Sequence, residues 1–332
     1  MDKNTEEKIK LLEDKYGQMG QDINGYLDGL LLSNYLTYWD YIQVETLLTL
    51  QNPKTDFPDE QIFIMYHQIT ELFFKLALNE FEQIGNNGPV MLPNGKMDGW
   101  KEKLDPKFFA ERVGRINRYF EALTKSFEIM VDGMEKEQFL RYRMALLPAS
   151  GFQSAQYRKI EICATDFYNL VDKDVRPTYQ NQHPPIEEMF KNIYWNKGAT
   201  ELSTGKKTLT LLQFEKKYGK EFVRLAEEYK TKNLWAKYKS LSEEDQKNQK
   251  VINALKEIDV NVNVNWPLMH YKSAVQYLQQ NTEDIAATGG TNWQKYLPPR
   301  FQKRIFFPEL WSEEEIADWG KGWVVTNVFR TN

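Results

Sequence analysis

Residues 58–84 read PDEQIFIMYHQITELFFKLALNEFEQI. Ile62, Phe63, Leu72, Phe73, Leu76 and Phe81 recur there at helical intervals, and no proline follows position 58. The stretch predicts one long helix, apolar over much of its circumference. A helix of that kind belongs in the middle of a bundle. Asp59 and Glu60 in its first turn suit the positive end of the helix dipole. Gly85-Asn86-Asn87-Gly88-Pro89 stops it.

Working outward, the same periodicity predicts helices over 34–50, 106–131, 153–170 and 261–280. The first is entered through Ser33 or Asn34, and Pro106 is a natural first residue of the second. Strand alternation is scarce. Residues 89–96 carry Asn94-Gly95, a possible hairpin turn. Two loops stand out, Leu147-Pro148-Ala149-Ser150-Gly151-Phe152 and Thr288-Gly289-Gly290-Thr291-Asn292. Residues 187–256 are rich in Lys, Glu and Tyr. They predict a helical insertion on the outside of the bundle, within a single domain spanning 1–332. The fold class expected is all-α, a helical bundle with a smaller helical excursion in the C-terminal half.

Composition narrows the function classes. The 332 residues include 19 Phe, 18 Tyr and 9 Trp, too aromatic for a disordered chain. Lys plus Arg is 43 against 47 Asp plus Glu, so there is no global basic field for nucleic acid. A single cysteine, Cys163, excludes an intramolecular disulfide and a Cys-rich zinc site. The opening residues have no apolar leader segment. No uncharged apolar run approaches the ~18 residues a membrane span needs. A reducing compartment, most simply the cytoplasm, is expected, with no membrane partner.

The motifs of several chemistries are missing. There is no P-loop, no Rossmann glycine fingerprint, no H-E-x-x-H and no G-x-S-x-G. The di-iron Glu-x-x-His pair is missing too, because Ile64, Gln180 and Pro267 stand three before the histidines. Metal chemistry in this bundle would need few protein ligands. Haem fits, since one axial side chain suffices. His183, in a polar proline-stiffened stretch, reads as a surface histidine. His67 shares a helix face with Phe63, Thr70 and Phe74, which suits either a pocket wall or a buried histidine bonded to a carbonyl. His270 follows Trp266 by four residues on a separate helix. Spacing leaves open whether His67 and His270 face one ligand or are unrelated core residues.

At this point whole segments resemble a known family. Residues 63–75, FIMYHQITELFFK, resemble the F-I-x-x-H-Q-x-x-E-L-x-x-K signature of the tryptophan 2,3-dioxygenases. Residues 148–158, PASGFQSAQYR, resemble that family's P-[AS]-S-G-F-Q-S-x-Q-[FY]-R. Tyr38-Trp39-Asp40-Tyr41 is similar to its N-terminal Y-x-x-Y. Trp266-x-x-x-His270, Thr288-Gly289-Gly290 and Phe306-Phe307-Pro308-Glu309-Leu310 are similar to its C-terminal blocks. The blocks run in family order over residues 34–310. Tyr66 stands where the family often has Gln, and Tyr271-Lys272 follow His270 where basic residues are usual.

The resemblance implies an all-helical homotetramer with one haem b per subunit, ferrous in its active form. It implies insertion of both atoms of O₂ across the indole C2–C3 bond of L-tryptophan to give N-formylkynurenine, the entry to kynurenine catabolism. By position, His270 is then the proximal iron ligand and His67 the distal histidine near the indole N–H. Phe63 packs on the indole. Arg143, five before Pro148, binds the substrate carboxylate, while Phe139 fills a position that is Tyr or Phe in the family. Thr288 anchors the amino-acid head. Tyr38 and Tyr41 reach into a neighbouring subunit's site. Two other readings keep the fold: the same haem protein acting on another indole, and a haem- or tryptophan-binding helical oligomer without turnover.

Overall fold

The computed structural model describes residues 1–180, 182, 184–200, 206–280, 283–284 and 297–321. Thr288 and His183 lie outside the described residues. The fold is all-α, as the sequence predicts: two short antiparallel strand pairs are the only sheets among the described residues.

The chain divides into two compact units, residues 1–50 with 89–100 and residues 51–88 with 101–332. In the first, α1 (Lys3–Gln18), α2 (Ile23–Leu32), α3 (Tyr38–Ile42) and α4 (Val44–Leu47) precede the hairpin of β1 (Pro89–Met91) and β2 (Met97–Trp100). The helix expected over 34–50 is split, because Gln43 takes the left-handed conformation between α3 and α4. The hairpin forms where Asn94-Gly95 suggested a turn, and Gly95 has φ +75°. A Cβ there would lie 2.8 Å from Leu32 Cδ2, so glycine is required both for its angle and for space.

In the second unit, α5 (Asp59–Gly85) is the axis. It packs against α6 (Pro106–Ser126) and α9 (Ala155–Ala164). Tyr66, Phe74, Ala77, Phe81 and Ile84 on α5 are buried in the main core. Each large side chain so buried contributes about 1.5–3 kcal/mol. Asp59 and Glu60 do more than complement the dipole. Asp59 accepts the Glu135 N–H at 2.5 Å, and Glu60 accepts the Lys54 and Thr55 N–H groups at 2.7 and 2.8 Å.

Asp105 caps α6 by accepting the Phe108 N–H at 2.7 Å, with Pro106 in the first helical turn as expected. The helix expected over 106–131 breaks at Phe127 and resumes as α7 (Glu128–Asp132), followed by α8 (Lys136–Tyr142). The 187–256 region contains α10 (Ile186–Lys191), α11 (Tyr194–Gly198), α12 (Leu209–Glu228), α13 (Leu234–Lys239), α14 (Glu243–Gln246) and most of α15 (Gln249–Val260). Leu211, Phe214 and Phe222 of α12 join the same core as α5. After α15 the backbone makes a π-turn over Asn261–Asn265 and runs on as α16 (Trp266–Leu278). The helix expected over 261–280 therefore exists but begins with this wider turn.

Candidate active site

Both core histidines are held alike. His67 Nδ1 lies 2.7 Å from the Phe63 carbonyl oxygen, and His270 Nδ1 lies 2.9 Å from the Trp266 carbonyl oxygen. A carbonyl only accepts, so each Nδ1 carries the proton and donates it. That leaves each Nε2 with a free lone pair when the ring is neutral. Burial pushes the His270 pKa down to about 4, and the nearby His67 disfavours its protonation further. Burial lowers His67 as well. Two neutral imidazoles, each with its tautomer fixed by a backbone carbonyl, therefore sit within electrostatic reach of each other. A neutral imidazole with its other nitrogen hydrogen-bonded is the usual form of a metal-ligating histidine.

An aromatic wall links the two helices that carry them. Phe127, at the break between α6 and α7, has its ring centroid 4.6 Å from His270 and 5.2 Å from Trp266. It meets Tyr66, the residue before His67, edge-on at 5.6 Å. Tyr66 is held by its hydroxyl, which donates to the Leu123 carbonyl at 3.2 Å. On the other side Phe63 packs against His67 at 4.2 Å, the rings tilted by 35°, and lies 6.3 Å from Phe139 and 6.0 Å from Tyr142. Phe139 in turn contacts Tyr277 of α16 at 4.8 Å. Tyr277 and Ser273 donate to the Met134 and Met130 carbonyls, both at 3.2 Å, which fixes α16 against the α7–α8 corner.

The structure thus brings His67, Phe63, Phe139 and His270 into one aromatic neighbourhood. Trp266, quoted with His270 in the resembling segment, belongs to it, as do Tyr142, Phe127 and Tyr277, whose only signal in the sequence was helical spacing, which marks core and pocket wall alike. Arg143 follows Tyr142 directly and is buried, with desolvation lowering its pKa. Its neighbours in sequence differ. Arg141 is exposed with its guanidinium 4.7 Å over Phe57, and Arg158 pairs with Glu161 at 3.1 Å. Tyr38 and Tyr41 are largely exposed on α3. A cavity of about 590 Å³, lined by Phe167, Tyr179, Met189 and Tyr229 among others, includes neither histidine nor the rings around them.

The two longest signature segments hold each other in place. Gln156 Nε2 donates to the Glu71 carbonyl at 2.8 Å and to its carboxylate at 2.7 Å, tying α9 to α5 one turn beyond His67. Ser154 caps α9, and Ser150 and Gln153 form a capping box in the turn before it.

As to cofactor, no group of three or more His, Cys, Asp or Glu among the described residues is placed to hold a metal ion. A haem needs one axial donor, and His270 has the protonation state and the flat aromatic surroundings that suit one. No helix among the described residues is long and apolar enough to cross a membrane.

Known proteins point the same way. A family model described as tryptophan 2,3-dioxygenase matches residues 30–283. A tryptophan 2,3-dioxygenase of Ruegeria sp. (strain TM1040) is 36% identical over 153 residues, 45% of this chain and 47% of that protein. One from Sorangium cellulosum (strain So ce56) is 38% identical over 135 residues, 38% of this chain and 30% of that protein. One from Bacillus anthracis is 33% identical over 127 residues, 38% of this chain and 40% of that protein. The chain thus spans less than half the length of each of these relatives.

Proposed function

The chain belongs to the tryptophan 2,3-dioxygenase family, and on that premise we propose that it is a haem-dependent dioxygenase converting L-tryptophan to N-formylkynurenine. The observation that carries this reading is the pair of neutral imidazoles, His67 and His270, each with Nε2 free and joined by an aromatic wall.

His270 would hold the haem b through Nε2, its Nδ1–H staying on the Trp266 carbonyl. The bound haem supplies the ferrous iron at which O₂ is activated. Phe63 and Phe139 offer flat apolar surface to the indole ring. His67, kept neutral by desolvation, keeps an acceptor lone pair on Nε2 and takes a hydrogen bond from the indole N–H. The substrate is thereby oriented without placing a charge in the pocket. Arg143, buried at the end of α8, grips the substrate carboxylate through two parallel charge-assisted bonds, which lysine cannot copy. Thr288 anchors the amino-acid head.

The protein works as a homotetramer in this reading, with Tyr38 and Tyr41 of one subunit completing a neighbour's site. Two exposed apolar surfaces support an oligomer. Leu30, Leu31, Tyr35 and Leu36 are exposed in the first unit. Met65, Ile69, Leu72 and Leu76 form an exposed stripe along α5, spaced by four, three and four residues.

The test is a spectrum of haem-reconstituted, reduced protein with L-tryptophan under anaerobic conditions. Air is then admitted while the N-formylkynurenine band is followed. Product in the wild type and none in His270→Ala is expected. Haem uptake with no product would redirect the substrate search to other indoles, and no haem uptake would sink the reading.

A further inference from the structure

The π-turn ahead of His270 leaves a buried carbonyl without its helical donor. In an α-helix the Val262 carbonyl would accept the Trp266 N–H, but that N–H goes to Asn261 instead. The next donor along a π-turn would be residue 267, which is proline and has no N–H. An unpaired buried carbonyl is strongly disfavoured. Two side chains from distant parts of the chain take over. Tyr157 Oη donates to the Val262 carbonyl at 3.0 Å and Arg304 Nη2 donates at 3.2 Å.

The same guanidinium is fixed on every side. Its Nη2 also reaches Tyr157 Oη at 2.7 Å, its Nε donates to Asn263 Oδ1, and its Nη1 pairs with Glu161. Glu161 is fully buried and is also held by Arg158 at 3.1 Å. Asn263 in turn donates to Asp259 at 2.7 Å. Asp259 accepts the Phe306 and Phe307 N–H groups at 2.6 and 3.0 Å. The turn is thus anchored at its carbonyl and at its side chain by one cation.

A turn with one extra residue rotates everything after it by about 100° relative to an uninterrupted helix. The side of α16 that carries Trp266 and His270 is therefore decided at Asn261–Asn265. We propose that Arg304, assisted by Tyr157, is a positioning residue for His270: by occupying the Val262 carbonyl it holds the π-turn that aims the imidazole at the haem. This rests on the reading of His270 as the iron ligand. Arg304 touches neither substrate nor haem in this account and acts through the backbone of the turn.

The test uses full-length, haem-reconstituted protein and two mild variants, Arg304→Lys, which keeps the charge and loses the fork, and Tyr157→Phe, which loses one hydroxyl. Circular dichroism checks that both fold. Two readouts follow: the iron–histidine stretching band of the ferrous protein, and the rate of haem loss to excess haem-free globin. The band should shift in both variants, more in Arg304→Lys. Haem loss should accelerate roughly tenfold in Arg304→Lys, the scale seen when an outer partner of a metal-ligating histidine is removed. Adding Pro267→Ala to Arg304→Lys returns a backbone donor to the turn and should recover part of the haem retention. Variants that lose stability while keeping the wild-type band and haem-loss rate would overturn the inference and leave the network purely structural. Absence of rescue by Pro267→Ala would count against the Val262 carbonyl as the point of action. Failure of the wild type to take up haem would remove the function reading and this inference together, whereas wild-type uptake with unaffected variants would remove this inference alone.

Discussion

The second unit buries ionisable groups in two regions that treat them in opposite ways. Around α5 and α16 the surroundings are aromatic, and His67 and His270 lose their charge. Around the π-turn the surroundings are polar, and Arg304 is pushed toward its charged form by Glu161 and two tyrosine hydroxyls, against the cost of burial. Burial alone therefore does not decide charge. A buried group stays ionised where opposite charge and donors reach it on several sides, and turns neutral where only carbon and one carbonyl do.

The largest test of that contrast is Glu161→Gln. It removes the carboxylate that Arg158 and Arg304 share. Loss of one member of a buried ion network costs about 3–5 kcal/mol. His67→Gln, in the aromatic region, should cost less than about 1 kcal/mol, because a neutral ring is exchanged for a neutral amide. Urea unfolding of the haem-free proteins measures both, and equal losses would break the comparison.

Acid titration sharpens it. His270 is pulled down to about 4 in the folded state, below its unfolded value. Its contribution is present above the unfolded pKa and is lost as pH falls from about 6.5 towards 4. The haem-free wild type should lose up to about 3 kcal/mol more than His270→Gln over that range. Asp259, in the polar region, is pushed by burial up to about 6 in spite of its donors. Its folded form binds the proton more readily, so its contribution favours low pH and is lost as pH rises from about 4 to about 6. Asp259→Asn should therefore remove a slope of the opposite sign. Unfolding free energies measured against pH in the two variants decide the matter, and slopes of the same sign would refute it.

Arg143→Lys tests whether a cation at the aromatic end serves substrate. Two charge-assisted bonds of about 1.5 kcal/mol each imply that kcat/KM for L-tryptophan falls roughly hundredfold. The unfolding midpoint should stay near that of the wild type, and a large loss of stability with little loss of activity would place Arg143 in the scaffold. A small effect is also expected for Tyr66→Phe, which removes one hydroxyl bonded to Leu123 and Ser126 and should cost about 1 kcal/mol with no change in haem spectrum.

The two regions were unequally legible in the sequence. α5 was plain because its apolar spacing and its glycine-rich stop are local signals. His67, Phe63 and His270 stand in segments resembling a family and Phe139 four residues before Arg143, and the structure places these four around one aromatic wall. Arg143 rested on its spacing to Pro148 alone, and burial now separates it from exposed Arg141. The polar region was nearly invisible. Asn261-Val262-Asn263-Val264-Asn265 reads as ordinary helix, since its widening depends on Pro267 together with donors from Tyr157 and Arg304, far away in the chain. The α3–α4 break was missed for a similar reason: Gln43 is an unusual residue for the left-handed region, and nothing nearby announces it.

The donor arrangement at Val262 also orders events during synthesis. Arg304, Phe306 and Phe307 leave the ribosome after His270 has been made, yet they secure the turn on which His270 stands. A nascent chain carrying both histidines is thus still without the bonds that set α16. If His270 holds a haem, as proposed, its productive loading would wait until residue 307 has left the ribosome, and a chain stalled before that point would display the histidine without its geometry.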